Sequence, residues 1–244
     1  HIAASGNYNL FTTTNATYDP TLHVEDCTVD ADYNVVYDSH NTQNFKSVYF
    51  GNSIVKMTVA NKPFYSTKAK DAHTQQLIRL DNNVFYAETP LQNYLINCGD
   101  RSQAFQTTRL QVEVTNNTIY NIYQPNIMIR AYVLAGLTVT KNVGYYTGVT
   151  AKNYLTGVYD TAGFTADKAE VTYNYLYTAP VSDTNFWSAK HTGSYTPANN
   201  QMGDGVEAPF SSMDAAKGYF PVDASVVKTG AGATYDTKAW FKTE

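Results

Sequence analysis

No stretch of this chain approaches the roughly 18 consecutive apolar residues that a membrane-spanning helix needs, so no transmembrane segment is expected. Charge is sparse. Asp, Glu, Lys and Arg make up 16 % of the 244 residues against 43 % hydrophobic, a balance that supplies a sizeable core and argues against disorder. A basic excess is missing too: the net charge is −4. With no positive field to draw in a phosphate backbone, nucleic acid is not expected as a partner, although a local basic patch would suffice for an acidic polysaccharide. Only two cysteines occur, Cys27 and Cys98, which rules out a scaffold built on disulfides. The five histidines, His1, His23, His40, His73 and His191, show no metal-ligand spacing, and no metal site is expected from them. No glycine-rich phosphate loop or nucleophile elbow is present.

What the chain has in quantity is tyrosine, 21 residues, together with Asn and Thr, a composition that favours strands and turns over helices. It also has a repeat. Val112-Glu113-Val114-Thr115-Asn116-Asn117-Thr118-Ile119-Tyr120 has relatives beginning at Leu22, Val48, Ile78, Leu137 and Ala169. The six starting residues form one apolar column, and Val24, Phe50, Leu80, Val114, Val139 and Val171 form the next, the alternation of a strand with one buried face. Three positions on come Cys27, Ser53, Asn83, Asn117, Asn142 and Asn174. Another apolar column follows (Val29, Val55, Phe85, Ile119, Gly144, Leu176), and then Asp30, Lys56, Tyr86, Tyr120, Tyr145 and Tyr177.

The starts lie 26, 30, 34, 25 and 32 residues apart. Such unequal spacing suits coils whose loops vary while their strands stay in register, a β-solenoid. Asn tolerates the left-handed backbone of a tight bend. Its amide both donates and accepts, so residues stacked at ~4.8 Å can hydrogen-bond from coil to coil. Asn83, Asn117, Asn142 and Asn174 are therefore expected to form a structural ladder. A second set of strands is expected at Asn34-Val35-Val36-Tyr37, Lys62-Pro63-Phe64-Tyr65, Asn93-Tyr94-Leu95-Ile96, Asn126-Ile127-Met128-Ile129, Asn153-Tyr154-Leu155-Thr156 and Asn185-Phe186-Trp187-Ser188. The third member of each is large and apolar and should point inward, the second and fourth outward. Tyr37, Tyr65, Tyr94, Tyr154 and Phe186 would then mark the outer face.

The Val-x-Val-x-Asn-Asn-Thr-Ile-Tyr run and its relatives, covering residues 22–190, resemble the right-handed parallel β-helix of the pectate-lyase-like superfamily. Together with the endings Ala215-Ala216-Lys217-Gly218-Tyr219-Phe220 and Gly230-Ala231-Gly232-Ala233, the pattern is more narrowly similar to Bacteroidetes surface lipoproteins of polysaccharide-utilisation systems. These carry such a helix with a C-terminal domain of unassigned function. The resemblance implies a secreted or outer-membrane-surface protein whose partner is a polysaccharide or oligosaccharide, with other surface proteins of a glycan-uptake system as further partners. Binding without catalysis is the expected function. A uronate-directed polysaccharide lyase and a structural module of a surface complex are the alternatives.

The expected fold is all-β: residues 1–190 form a right-handed parallel β-helix, an opening half-coil plus about six coils, and residues 191–244 an irregular C-terminal cap. Asn9-Leu10-Phe11-Thr12 reads as the second strand of a coil whose first half lies at or before His1, so a longer N-terminus is expected. Ser211–Lys217 reads as one short helix, and the tail should close the end of the stack over Phe210, Tyr219, Phe220 and Trp240. In this frame Cys27 and Cys98 sit two coils apart, roughly 10 Å along the axis, beyond the ~7 Å a disulfide permits. Both should be free thiols in or near the core. The longest loops, 66–76, 98–109 and 157–168, gather on one side, where a ligand is expected.

No cofactor is expected unless the chain is a lyase, which the resemblance implies would use an Arg or Lys base and calcium. The position after each second strand reads Asp38, Ser66, Asn97, Arg130, Gly157 and Ala189. Arg130 is thus the candidate base; Asp38 falls in the same row, no pair of acids sits on adjacent coils beside Arg130, and Asp100, Arg101 and Asp160 in the neighbouring loops would have to complete a site. A hydrolase would need carboxylates about 5–10 Å apart on one face, and Glu25, Asp30, Asp81 and Glu113 read as occupying different columns. The aromatic columns offer glycan-binding candidates: Tyr86, Tyr120, Tyr145, Tyr177, Tyr94 and Tyr154. Such rings either pack beneath loops or stack on sugar rings.

Overall fold

The computed structural model describes residues 2–4, 9–13, 21–38, 45–67, 75–98, 109–123, 127–131, 134–146, 154–158, 169–178, 198–202 and 206–234. Strands, and no helix, are found among them. They form three parallel sheets, of eight, six and six strands, stacked as a β-solenoid in which successive coils add their strands in chain order.

The leading sheet holds Thr21–Glu25, Ser47–Gly51, Gln75–Asp81, Arg109–Thr115, Leu134–Thr140 and Ala169–Thr172. Its register pairs Leu22, Val48, Ile78, Val112, Leu137 and Ala169 in succession, and likewise Val24 through Val171. Around a tight bend follows the tyrosine sheet: Ile2–Ala4, Thr28–Ala31, Ile54–Met57, Val84–Gln92, Thr118–Tyr123, Val143–Tyr146, Tyr175–Thr178 and Gln201–Met202. Here Val29, Val55, Phe85, Ile119, Gly144 and Leu176 stack as the repeat requires, with Asp30, Lys56, Tyr86, Tyr120, Tyr145 and Tyr177 beside them. The third sheet is Phe11–Thr13, Val36–Asp38, Tyr65–Thr67, Ile96–Cys98, Ile127–Ala131 and Tyr154–Val158. Inward columns from all three meet in one core, where Phe50, Phe64 and Phe85 pack edge to face at 5.0 and 4.8 Å. Each such buried side chain contributes about 1.5–3 kcal/mol.

The bend between the first two sheets is the ladder. Asn83, Asn117, Asn142 and Asn174 are fully buried. Each carboxamide oxygen accepts the backbone N–H of the rung before it: Ser53 N to Asn83 at 3.0 Å, Asn83 N to Asn117 at 2.9 Å, and Asn117 N and Asn142 N to their successors at 3.0 Å. Each amide nitrogen in turn donates to a carbonyl of the preceding coil, as Asn117 does to Leu80 at 2.9 Å. Ser53 plays the same part for Cys27, accepting its N–H at 3.2 Å.

The left-handed bend falls one residue earlier than the sequence reading placed it. Asp26, Asn52, Asn82, Asn116, Lys141, Tyr173 and Asn199 adopt φ between 48° and 58°, while the ladder residue itself supplies the amide. Lys141 and Tyr173 have no native preference for that geometry, which costs a residue with a Cβ roughly 1–2 kcal/mol. Bonds on the flanking rungs hold them there, Lys141 N to Thr172 O at 3.1 Å among them.

Three expectations are corrected. The repeat does not dissolve at residue 190: Asn174 N donates to Asn200 Oδ1 at 2.9 Å, Asn200 Nδ2 to Val171 O at 2.8 Å, and Gln201–Met202 pair with Tyr175 and Leu176. This rung lies inside the span assigned to the cap. Ser211–Lys217 is no helix. The chain instead doubles back, with reciprocal backbone bonds between Asp214 and Tyr219 around Gly218 at φ 65°. Finally, residues 206–234 cover a side of the stack. They lie along the outer face of the tyrosine sheet, packing Phe220, Ala231 and Ala233 on Val84, Tyr86, Val143 and Tyr175. Trp240 is outside the described residues.

Candidate functional site

On the third sheet, Val36, Tyr65, Ile96 and Ile129 are paired in succession and fully buried. Val35, Phe64, Leu95 and Met128, at the corner just before, are buried as well. The expected alignment therefore holds from the Phe64 coil onward and is one residue out between the Val36 and Tyr65 coils. Two adjacent valines fit either register on hydrophobicity alone, and a one-residue slip exchanges the faces. Tyr65 points into the core and not outward, as Ile96 and Ile129 of its row do: in these coils the fourth member of the segment faces in, while the third is buried at the corner. Asp38 pairs with Thr67, in the row of Cys98 and Ala131, so it does not share Arg130's row. Tyr37 does, with Ser66, Asn97 and Gly157.

Along that outward row one cluster is built. Arg130 Nε donates to Asn97 Oδ1 at 2.8 Å and Nη1 donates to the Tyr94 hydroxyl at 3.3 Å. Its guanidinium lies 4.8 Å from the centre of the Tyr94 ring, a cation–π contact. Tyr94 is itself fixed from below, its N–H donating to Asn93 Oδ1 at 3.0 Å. The buried Asn93 amide donates in turn to the Lys62 carbonyl at 2.6 Å. Arg130 thus bridges two coils, with Asn97 and Tyr94 among the groups that hold its guanidinium. Sequence reasoning named Arg130 and Tyr94 separately but missed Asn97 as the residue that orients the guanidinium. The signal was there, since Asn97 and Arg130 fall in one row on successive coils. Asp100, Arg101 and Asp160 lie outside the described residues, as do the loop tips around them and the side chains of Tyr154 and Cys98. Cys27 is a free thiol.

The tyrosine column is differently placed. Tyr120 and Tyr145 stack at 5.1 Å and 7°, Tyr145 and Tyr177 at 5.0 Å and 13°. Phe220 and Phe210 of the C-terminal segment close over them. Tyr86 and Tyr145 are only 5 % and 8 % exposed, and burial pushes both phenols up. Neither presents a ring face to solvent, so as folded they cannot stack on a sugar; Tyr120 and Tyr177 are half-buried in the same packing. Where the column turns charged, at Asp30 and Lys56, Lys56 pairs with Glu88 instead.

On the leading sheet, Glu25 and Asp81 share a row through Gly51, which corrects the expectation that they occupy different columns. Two strand spacings put them about 10 Å apart. Both carboxylates are engaged within the rungs, Glu25 by Asn52 Nδ2 at 2.6 Å and Asp81 by Thr115 Oγ1 at 2.6 Å and Asn116 Nδ2 at 3.2 Å. Glu113 pairs with Arg79. Among the described residues no three His, Cys, Asp or Glu side chains stand close enough to hold a metal ion. No helix among the described residues is long and apolar enough to cross a membrane. Comparison of the chain with known protein families, with characterised proteins and with solved structures finds no match.

Proposed function

We propose that this chain is a secreted or cell-surface glycan-binding solenoid that engages polysaccharide on the outer face of the third sheet without cleaving it. The observation that carries the reading is the Arg130–Tyr94–Asn97 cluster. An amphipathic ring suits the apolar face of a sugar, and the positive charge of a guanidinium suits a uronate carboxylate. The resemblance of the repeat to pectate-lyase-like proteins of polysaccharide-utilisation systems supports the same substrate class. It also makes other surface proteins of such a system the natural partners. Tyr86 and Tyr145 are covered, whereas Tyr94 lies beside the polar groups of Arg130.

Binding to polygalacturonate and to neutral plant polysaccharides, measured by affinity electrophoresis, tests the reading. Retardation by the uronate polymer that weakens about tenfold in Arg130→Ala, the loss expected for a hydrogen bond to a charged group, and also weakens in Tyr94→Ala, supports it. No retardation by any polymer would favour a structural role. An unsaturated uronate product that forms with calcium and vanishes in Arg130→Ala would replace the binding reading with a lyase.

A further inference from the structure

A cleft of about 240 Å³ opens where the C-terminal segment meets the last strands of the tyrosine sheet. It is lined by Tyr175, Gln201, Val206, Glu207, Ser225 and Lys228. Tyr175 is its floor: nearly buried, its hydroxyl donates to the Glu207 carbonyl at 2.8 Å and so ties the segment to the solenoid. Ser225 is held by its own turn, its hydroxyl and N–H both donating to Asp223 Oδ1, at 2.6 and 2.8 Å. The side chains of Gln201, Glu207 and Lys228 are exposed. Glu207 and Lys228 both line the cleft.

We infer that this cleft is a binding site for a single neutral pyranose unit with free vicinal hydroxyls. Glu207 can only accept and Lys228 only donate, whereas Gln201 does both, and a sugar hydroxyl is the common group that satisfies all three. One acid and one base in the lining leave no net charge to select a phosphate or a carboxylated ligand. The mostly polar wall gives an acyl chain nothing to bury against, while Val206 offers a small apolar patch for the C–H face of a ring. The volume lies below the roughly 300–1,000 Å³ of pockets for drug-sized ligands, which fits one ring and not a chain of them. The site is on a different sheet from Arg130 and stands without the reading given to that cluster.

The test is titration of the ¹⁵N-labelled protein with methyl β-D-galactopyranoside, methyl β-D-glucopyranoside and methyl α-D-mannopyranoside at millimolar concentration. At least one glycoside should shift the Gln201 side-chain amide and the backbone amides of Glu207 and Lys228 saturably. Affinity should fall about tenfold in Glu207→Gln and in Lys228→Met, as expected when a hydrogen bond to a charged group is lost, and stay unchanged in Arg130→Ala. Both substitutions are at exposed side chains, and the dispersed resonances of the tyrosine column report that the fold is intact. Absence of saturable shifts with all three glycosides overturns the assignment, as do shifts that persist undiminished in both variants. Either result leaves polymer binding at Arg130 standing, and loss of polymer binding leaves the cleft standing.

Discussion

The rings of Tyr120 and Phe220 lie face to face, centroids 4.1 Å apart and planes within 19°. One belongs to a repeated outward column of the solenoid and the other to the C-terminal segment. Their contact turns an apparent ridge of exposed tyrosines into an internal layer. The tyrosine sheet is therefore packed on both faces where its outer column is aromatic, and where that column reads Lys56 it bears the Lys56–Glu88 ion pair.

Phe220→Ala should detach this cover. The side chain is fully buried, and removing it costs about 3–5 kcal/mol. Faster hydrogen exchange is expected at Gly232 and Ala233, whose N–H groups bond Lys141 O at 2.8 Å and Thr118 Oγ1 at 3.0 Å, with a weaker near-ultraviolet tyrosine signal. Unchanged exchange at both amides would mean that the stack does not hold the segment down.

Asn117→Ala should be among the most costly substitutions. It strips the acceptor from Asn83 N and the donor from Leu80 O, leaving two buried groups unpaired at about 1–3 kcal/mol each. Chemical denaturation should show a loss of roughly 2–5 kcal/mol. A loss below about 1 kcal/mol, the size of one ordinary hydrogen bond, would show that the ladder is dispensable.

Gly144 interrupts a column of large residues because Tyr146 needs the space. A Cβ at Gly144 would stand 2.6 Å from Leu176 Cδ2 and 2.8 Å from the Tyr146 hydroxyl oxygen. Gly144→Ala should destabilise by about 1–3 kcal/mol through overpacking. The double variant Gly144→Ala, Tyr146→Phe should recover part of that loss, and equal losses in the single and double variants would refute the steric explanation.

Alkaline pH should unfold the chain through its buried phenols. Burial raises Tyr146 well above its ordinary value of 10.0. The native state therefore keeps a proton that the unfolded state has released. The stabilisation is complete below pH 10 and is lost as pH rises toward the native pKa, by about 1.4 kcal/mol per pH unit for each such group. Tyrosinate absorbance should rise in two stages, exposed rings first and the buried set together with unfolding. Tyr146→Phe should move the second stage to higher pH.

The sequence alone determined the leading and tyrosine sheets, their register and the Asn ladder. Strand side chains alternate with period two, and every coil repeats the same column chemistry. The Asn199-Asn200 doublet, which repeats Asn82-Asn83 and Asn116-Asn117, would have revealed the last rung as well. On the third sheet that information ran out at Val35-Val36, where neighbouring apolar residues leave the faces ambiguous until packing chooses.

Only the tertiary structure decided what covers the tyrosines and which polar groups meet. Thr234 N bonds Asn82 Oδ1 at 2.8 Å across 152 residues of chain, and Ala233 N bonds Thr118 Oγ1 across 115. The C-terminal segment carries no repeat to announce such partners. Its place is fixed by the apolar outer face of Ile54, Val84, Val143 and the tyrosines, which folding of the solenoid creates and water would otherwise meet. The same holds for Glu207 and Lys228, whose shared cleft exists only once that segment has docked.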